Sequence, residues 1–426
     1  MKLTTLSGGL WLAFGSLWLL LSGMAVFRWT GRQSIIRSYY DSMALAGSEL
    51  GPQLLLIALA VSASLLASGA LATPSGQVGA ALTLLSVGLL SIAIGRGWAD
   101  GARFEAALQQ SFGAEYRQAI LPERARLLRE QLSWRDWIRP LDFDEQGIET
   151  MADIAYGEHG ERNRLDLLRS AEPAAAGAPP RPVLIEMHGG GYMWGGKNMA
   201  GKPLMHLLAR RGWIVVTLNY RLVPAARWPA PLVDAKKAVA WIREHIAEYG
   251  GDPGFIVATG ASAGGNLSAL LALTAGQPRY QPGFESADTR IQAAVPFYAG
   301  LAADRLDPDD LLGRHLYNHV LPPESRDDPK VQADLYPSTH IGADAAPFFV
   351  LTGTHDALAR VEDTRLFVER LRASSQAPVA YAEAYGANHG FDDAHSIRAG
   401  LAANAVQRFL ELLYSDHLRR ARGKTP

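Results

Sequence analysis

The chain has 426 residues, 48% of them hydrophobic and 19% charged, with a formal net charge of -1. That content supports a sizeable core and argues against disorder, and the near-zero charge argues against a nucleic-acid partner. There is no cysteine, so disulfides, thiol catalysis and cysteine-ligated metals are excluded.

Charge is distributed very unevenly. Before Arg96 the only charged residues are Lys2, Arg28, Arg32, Arg37, Asp41 and Glu49. Three apolar runs, 6–27, 53–72 and 78–94, fill this region. Each is near the ~20 residues a helix needs to cross a bilayer. The uncharged stretch Thr73-Pro74-Ser75-Gly76-Gln77 reads as the turn of a transmembrane hairpin. A cleaved signal peptide is the alternative for the first run, but Lys2 is its whole basic region and no clear A-x-A site follows. Arg28, Arg32 and Arg37 lie between the first two spans, and Arg96 and Arg103 follow the third. The bias of basic residues toward the cytoplasm places the 28–50 loop and the C-terminal part inside, in a cytoplasmic membrane. The basic tail Arg419-Arg420-Ala421-Arg422-Gly423-Lys424 suits either an anionic leaflet or plain solvent.

Residues 96–145 are amphipathic and aromatic-rich, with Leu121, Ala125, Leu128 and Leu132 at helical spacing. Two helices are expected, acting as a connector or, in a sharper reading, as a cap or lipid-lying surface. The expected organisation is a membrane domain at 1–95 with three transmembrane helices, linker or cap helices at 96–149, and a catalytic domain at 150–426.

From about residue 150 the pattern changes to alternation. Short β-rich runs are expected as strands at 183–187, 213–218, 255–259, 291–297, 348–352 and 379–385. Helical patterns occupy 200–211, 231–249, 263–276, 362–373 and 395–413. This predicts a mainly parallel sheet with helices on both faces. Residues 151–168 are expected to add antiparallel edge strands. Ligands of such sheets bind at the carboxyl ends of the strands.

The candidate chemistry falls at those ends. Ser262 sits in Gly260-Ala261-Ser262-Ala263-Gly264-Gly265, after one strand and before a helix. Gly260 and Gly264 permit the sharp G-x-S-x-G turn that lifts a serine hydroxyl out of the sheet. His188-Gly189-Gly190-Gly191 follows another strand. Its glycines let backbone amides approach a substrate, so Gly190, Gly191 and Ala263 are the candidate oxyanion donors. His188 is read as a loop anchor. Among 11 histidines, His389 follows the last strand and is the candidate base, with Asp356 as its orienting acid. The order Ser, Asp, His fits an α/β-hydrolase. His355 is a rival base, and Glu362 and Asp363 are rival acids that suit the first turn of a helix instead.

Metal and nucleotide chemistry find no motif. There is no H-E-x-x-H, no P-loop and no G-x-G-x-x-G opening a helix. The acidic clusters Asp392-Asp393 and Asp307-Pro308-Asp309-Asp310 lack calcium-loop spacing and read as solvated loops.

These residues resemble the hormone-sensitive-lipase-like branch of α/β-hydrolase carboxylesterases. The resemblance runs over about 156–412. It also rests on Asn219-Tyr220-Arg221-Leu222-Val223-Pro224, Trp228-Pro229-Ala230 and Gly251-Asp252-Pro253. It implies Ser262 as nucleophile, His389 as base, Asp356 as its orienter and the glycine-run amides as oxyanion hole. The chain departs from a common form of the family at Ala261 and Ala357, where an acidic residue and a proline are often found. The spans resemble those of some bacterial membrane-bound members. The expectation is a membrane-tethered serine carboxylester hydrolase acting on small-molecule or lipid esters without a cofactor. An arylformamidase-type amidase using the same triad is one rival; a catalytically dead membrane interaction protein is the other. Acyl length and oligomeric state have no signature.

Overall fold

The structure is a computed structural model and describes residues 2–29, 35–173, 177–199, 201–302, 306 and 311–423. Arg32, Ala200, Lys424, the run Asp307-Pro308-Asp309-Asp310 and part of the loop at 173–180 lie outside them. The N-terminal region folds as α1 (Lys2–Val26), α2 (Ile35–Glu49), α3 (Gly51–Ala67) and α4 (Pro74–Phe112). Two helices, Thr4–Val26 and Pro74–Phe112, are long and apolar enough to cross a membrane. The pair Tyr39–Glu49 and Gly51–Ala67 makes a third candidate span, bent by 82°.

Glycines set how closely these helices pack. A methyl group on Gly79 of α4 would lie 2.4 Å from the Trp11 carbonyl carbon of α1, so only hydrogen fits there. Small residues at the seam let apolar helices approach where lipid supplies no hydrophobic drive. Trp11 Nε1 donates to Thr83 Oγ1 across the same seam at 3.2 Å. Leucines such as Leu6, Leu17, Leu56, Leu59 and Leu84 point outward and exposed.

Four expectations are corrected here. The 28–50 loop holds a helix, α2. The hairpin turn is 68–73 rather than 73–77, because Thr73 accepts from Gly76 N at 3.1 Å and Pro74 takes the first helical position. Both are helix-start features. The third run does not stop near 94 either: α4 continues unbroken for 39 residues to Gly113. Only single turns follow it, α5 (Pro122–Ala125) and α6 (Trp134–Ile138), in place of a second connecting helix.

The strands are β1 (Ile148–Ala155), β2 (Arg164–Ser170), β3 (Arg181–Met187), β4 (Ile214–Leu218), β5 (Gly251–Ala261), β6 (Ala293–Phe297), β7 (Phe348–Gly353) and β8 (Val379–Ala384). They form one sheet in the order β1-β2-β4-β3-β5-β6-β7-β8. Strands β3 to β8 are parallel, while β2 is antiparallel to both β1 and β4, as the edge reading expected. The inner strands are buried on both faces, which is why they read as continuous apolar runs.

The longer helices after α6 are α7 (Lys202–Arg210), α8 (Ala230–His245), α9 (Ala263–Leu273), α12 (Val361–Ser374) and α13 (Ile397–Ala421). The short α10 (Leu311–His315) and α11 (Pro329–Asp334) lie between β6 and β7. The strand–helix alternation fits its expectation at each predicted strand and helix. The segment after α4 runs along α13: Arg124 pairs with Glu411 at 2.6 Å, and Arg129 reaches Asn404 and Gly400.

A buried ionic cluster joins the N-terminal helices to the sheet-bearing part. Arg398 of α13 meets Asp100 of α4 at 2.7 Å and Glu49 of α2. Asp100 also accepts from the Tyr385 amide at 3.0 Å. Removing one partner of such a cluster strands the rest in a dry site. Arg398→Met is expected to lower stability by about 3–5 kcal/mol, measured by denaturant unfolding of detergent-solubilised protein.

Candidate active site

The turn between β5 and α9 is fixed by lack of room. A methyl group on Gly264 would lie 1.8 Å from Met187 O, and one on Gly260 2.5 Å from the same oxygen. Helix α9 therefore starts flush against the end of β3, and the residue at the apex must bend sharply. That residue, Ser262, adopts φ 56° and ψ -116°. Such a backbone costs a non-glycine residue about 1–3 kcal/mol and persists only where its surroundings enforce it. Ser262 N donates to Phe297 O at 3.0 Å, which ties the apex to β6. Tyr192 and Tyr298 also have positive φ, and all three line one cavity.

That cavity has a volume of about 760 Å³ and opens at the carboxyl ends of the strands. Its walls include Ser262, His389, Gly190, Gly191 and Ala263, along with Met193, Trp194, Met199, Leu312 and Leu358. The amides of Gly190, Gly191 and Ala263 donate to no acceptor among the described residues. Gly190 and Gly191 take φ of 105° and 59°, and a methyl group on Gly190 would lie 2.1 Å from Trp194 O. His188 is fully buried behind this loop. It stacks on Tyr220 at 4.2 Å, and Tyr220 OH donates to its carbonyl at 2.6 Å. Burial pulls its pKa down to about 4, so it stays neutral and acts as the expected anchor. Gly189 packs against the same turn, 3.1 Å from Ala261 O as measured from its absent methyl position.

His389 and Asp356 meet. His389 Nδ1 lies 2.8 Å from Asp356 Oδ2. The other carboxylate oxygen accepts from the amides of Leu358 and Ala359 at 2.7 and 2.8 Å, so Asp356 is held on both sides. Burial opposes charge on His389, but the Asp356 carboxylate outweighs it, with Asp393 and Asp392 adding to the effect. The net pKa is raised. Ser262 Oγ and His389 Nε2 share the cavity and make no hydrogen bond to each other. Such contacts are commonly long in unliganded sites and tighten with substrate.

The rivals are placed elsewhere. His355 is largely buried, does not line the cavity, and has its pKa pulled to about 4 by burial. Glu362 and Asp363 occupy the first turn of α12.

One expectation is overturned. Asp392 is not solvated: it is buried and accepts from Tyr298 OH. Its neighbour Asp393 is exposed, as expected, but lines the cavity. Desolvation raises both pKa values, with the Asp393 charge adding to the rise at Asp392.

Two other residues at the site carry no local sequence signal. His315 of α10 holds the glycine loop through Gly191 O at 2.7 Å. Asn266 links Tyr192, Gly300 and Leu335. Long-range contacts of this kind leave no local pattern. Among the described residues no cluster of three or more His, Asp or Glu is arranged to hold a metal.

A family model described as BD-FAE matches residues 169–371. The probable carboxylic ester hydrolase LipM of Mycobacterium tuberculosis is 46% identical over 265 residues, 62% of this chain and 61% of that protein. Esterase LipQ of the same organism is 40% identical over 273 residues, 64% of each chain. The chain thus spans less than two thirds of the length of these curated relatives. Esterase B from Lactobacillus Rhamnosis superposes with a TM-score of 0.54 at 18% identity over 77% of this chain and 100% of that one, a likeness of fold. Thermogutta terrifontis esterase 2 phosphonylated by sarin has a TM-score of 0.51 at 25% identity, covering 66% and 98%.

The chain carries an α/β-hydrolase fold. In this site the imidazole pKa is a readout of the charges around it. NMR titration is expected to place the His389 pKa above the ordinary ~6.5 for histidine. Asp393→Asn removes one of the nearby negative charges and is expected to move that value down.

Proposed function

We propose that the chain is a serine carboxylester hydrolase tethered to a membrane, with Ser262, His389 and Asp356 as its catalytic triad. The observation that carries this reading is the convergence of three features on one cavity. They are a serine on a strained strand-to-helix turn, an imidazole held by a buried carboxylate, and three amides with no acceptor among the described residues. His389 Nε2 takes the proton of Ser262 as the hydroxyl attacks the ester carbonyl. The oxyanion docks on the amides of Gly190, Gly191 and Ala263. The alcohol leaves with the proton from His389, and water cleaves the acyl-enzyme by the same steps. Asp356 keeps the imidazole in the tautomer that leaves Nε2 free to accept.

We assign residues 1–95 to a membrane domain, 96–149 to a linker and 150–426 to the catalytic domain. The ester relatives support a small-molecule or lipid ester as substrate. The distribution of arginines supports a catalytic domain on the cytoplasmic side of a bacterial membrane.

Ser262→Ala is expected to abolish ester turnover and labelling by a fluorophosphonate probe while the fold persists. Asp356→Asn is expected to cut kcat by about 10⁴ with little change in KM, since the wrong tautomer is then favoured. Full activity in Ser262→Ala, assayed with p-nitrophenyl butyrate, overturns the assignment.

A further inference from the structure

The active-site loop and the membrane helices are neighbours. Arg96 marks the end of the apolar part of α4. It donates to Val26 O, the last residue of α1, at 2.7 Å, and its guanidinium lies 5.0 Å from the Tyr385 ring centroid. Tyr385 directly follows β8 and opens the loop that bears His389. The carboxyl edge of the sheet, where the cavity opens, thus abuts the level at which the spans end. Helix α2 fills the remaining space. Leu45 of α2 lies against Gly390, 3.4 Å from where a methyl group on that glycine would be. Gly47 packs more closely still on Ala25 of α1, whose Cβ lies 2.7 Å from where a methyl group on the glycine would be.

The orientation of α2 follows from its neighbour. It meets α3 at a bend of 82°. With α3 packed beside α4 along the bilayer normal, α2 lies nearly in the membrane plane. One of its faces covers the His389 loop. The opposite face presents Tyr39 and Met43, one turn apart and 69% and 45% exposed. Apolar side chains on the free face of a surface helix are suited to the headgroup–acyl boundary. Most other exposed large apolar side chains belong to the spans, but Met193, Trp194, Met199 and Leu358 lie on the cavity wall. The rim and the lip are both apolar.

Resting on the hydrolase reading above, we infer that α2 is an interfacial helix forming the lipid-side lip of the cavity, and that the substrate is a membrane-resident ester lipid drawn in acyl chain first. The apolar walls receive the chain, while the ester carbonyl stops at Ser262. No transit through water is needed.

The test uses the full chain reconstituted in phosphatidylcholine–phosphatidylglycerol vesicles. Two substrates are compared, p-nitrophenyl butyrate in solution and 4-methylumbelliferyl oleate dissolved in the bilayer. The double variant Tyr39→Ser/Met43→Ser is expected to cut oleate hydrolysis at least fivefold with butyrate hydrolysis unchanged. Equal loss on both esters, or no loss on either, overturns the inference. A second arm exploits the absence of cysteine. An environment-sensitive fluorophore on Met43→Cys is expected to be quenched by brominated lipid, whereas one on Glu248→Cys is not. An unquenched Met43 probe overturns the placement, including the case in which cross-linking shows that a second copy covers it. If the unaltered chain cleaves neither ester, the hydrolase reading fails, and the quenching arm still decides where α2 lies.

Discussion

The closeness of α9 to β3 governs the rest of the geometry of the candidate site. With 1.8 Å between Met187 O and the missing methyl group of Gly264, the helix has one way to leave the sheet. That exit forces Ser262 into its positive φ and leaves the Ala263 amide at the helix start without an acceptor. It also brings Asn266, one turn into α9, under the glycine loop, where it receives the Tyr192 hydroxyl at 2.7 Å. The strain of about 1–3 kcal/mol is borne by strands β3, β5 and β6, the centre of the sheet, whose residues are buried on both faces. A nucleophile needs exposure and rigidity together. Here the exposure comes from the bend and the rigidity from the packing that causes it.

The histidine loop is held differently, by charge. At its start, Tyr385 is fixed by Asp100 through its amide and by Arg96 and Arg103 over its ring. Beyond His389, Asp392 is tied to Tyr298 at the end of β6. Between these anchors His389 faces Asp356 and sits 4.7 Å from the Tyr298 ring. Three of the anchoring groups, Asp100, Arg96 and Arg103, belong to α4. The imidazole is therefore positioned in part by a helix whose other end is apolar.

The legible parts of the chain were those governed by local pattern. Strand runs buried on both faces and glycines demanded by close backbone approach write themselves into consecutive residues, so β3 to β8, the turn at Ser262 and the loop at Gly190 could be read directly. The membrane helices were legible as composition, but their ends were not. The signal that ends an apolar run differs from the signal that ends a helix, and α4 passes through Arg96 without a break. Helix α2 is too short and mixed to stand out, and it is stable here because Ala44, Gly47 and Glu49 are buried against other elements. Asp392 and Asp393 looked like solvent residues because two adjacent acids usually are. The burial of Asp392 comes from the fold of the loop around His389, which no local window contains.

The cluster of Arg398, Glu49 and Asp100 explains how the apolar N-terminal helices can hold the His389 loop in register. Contacts between apolar helices in lipid do little to fix height, since a leucine side chain loses nothing by exchanging a helix neighbour for an acyl chain. A buried guanidinium shared by two carboxylates cannot slide without stranding a charge. It sets the vertical position of α2 and α4 against α13. Through Asp100 on the Tyr385 amide, that position is passed to the loop of His389. The ionic seam adds little net stability compared with an apolar one of the same volume. Its contribution is a single allowed alignment of the N-terminal helices and the His389 loop.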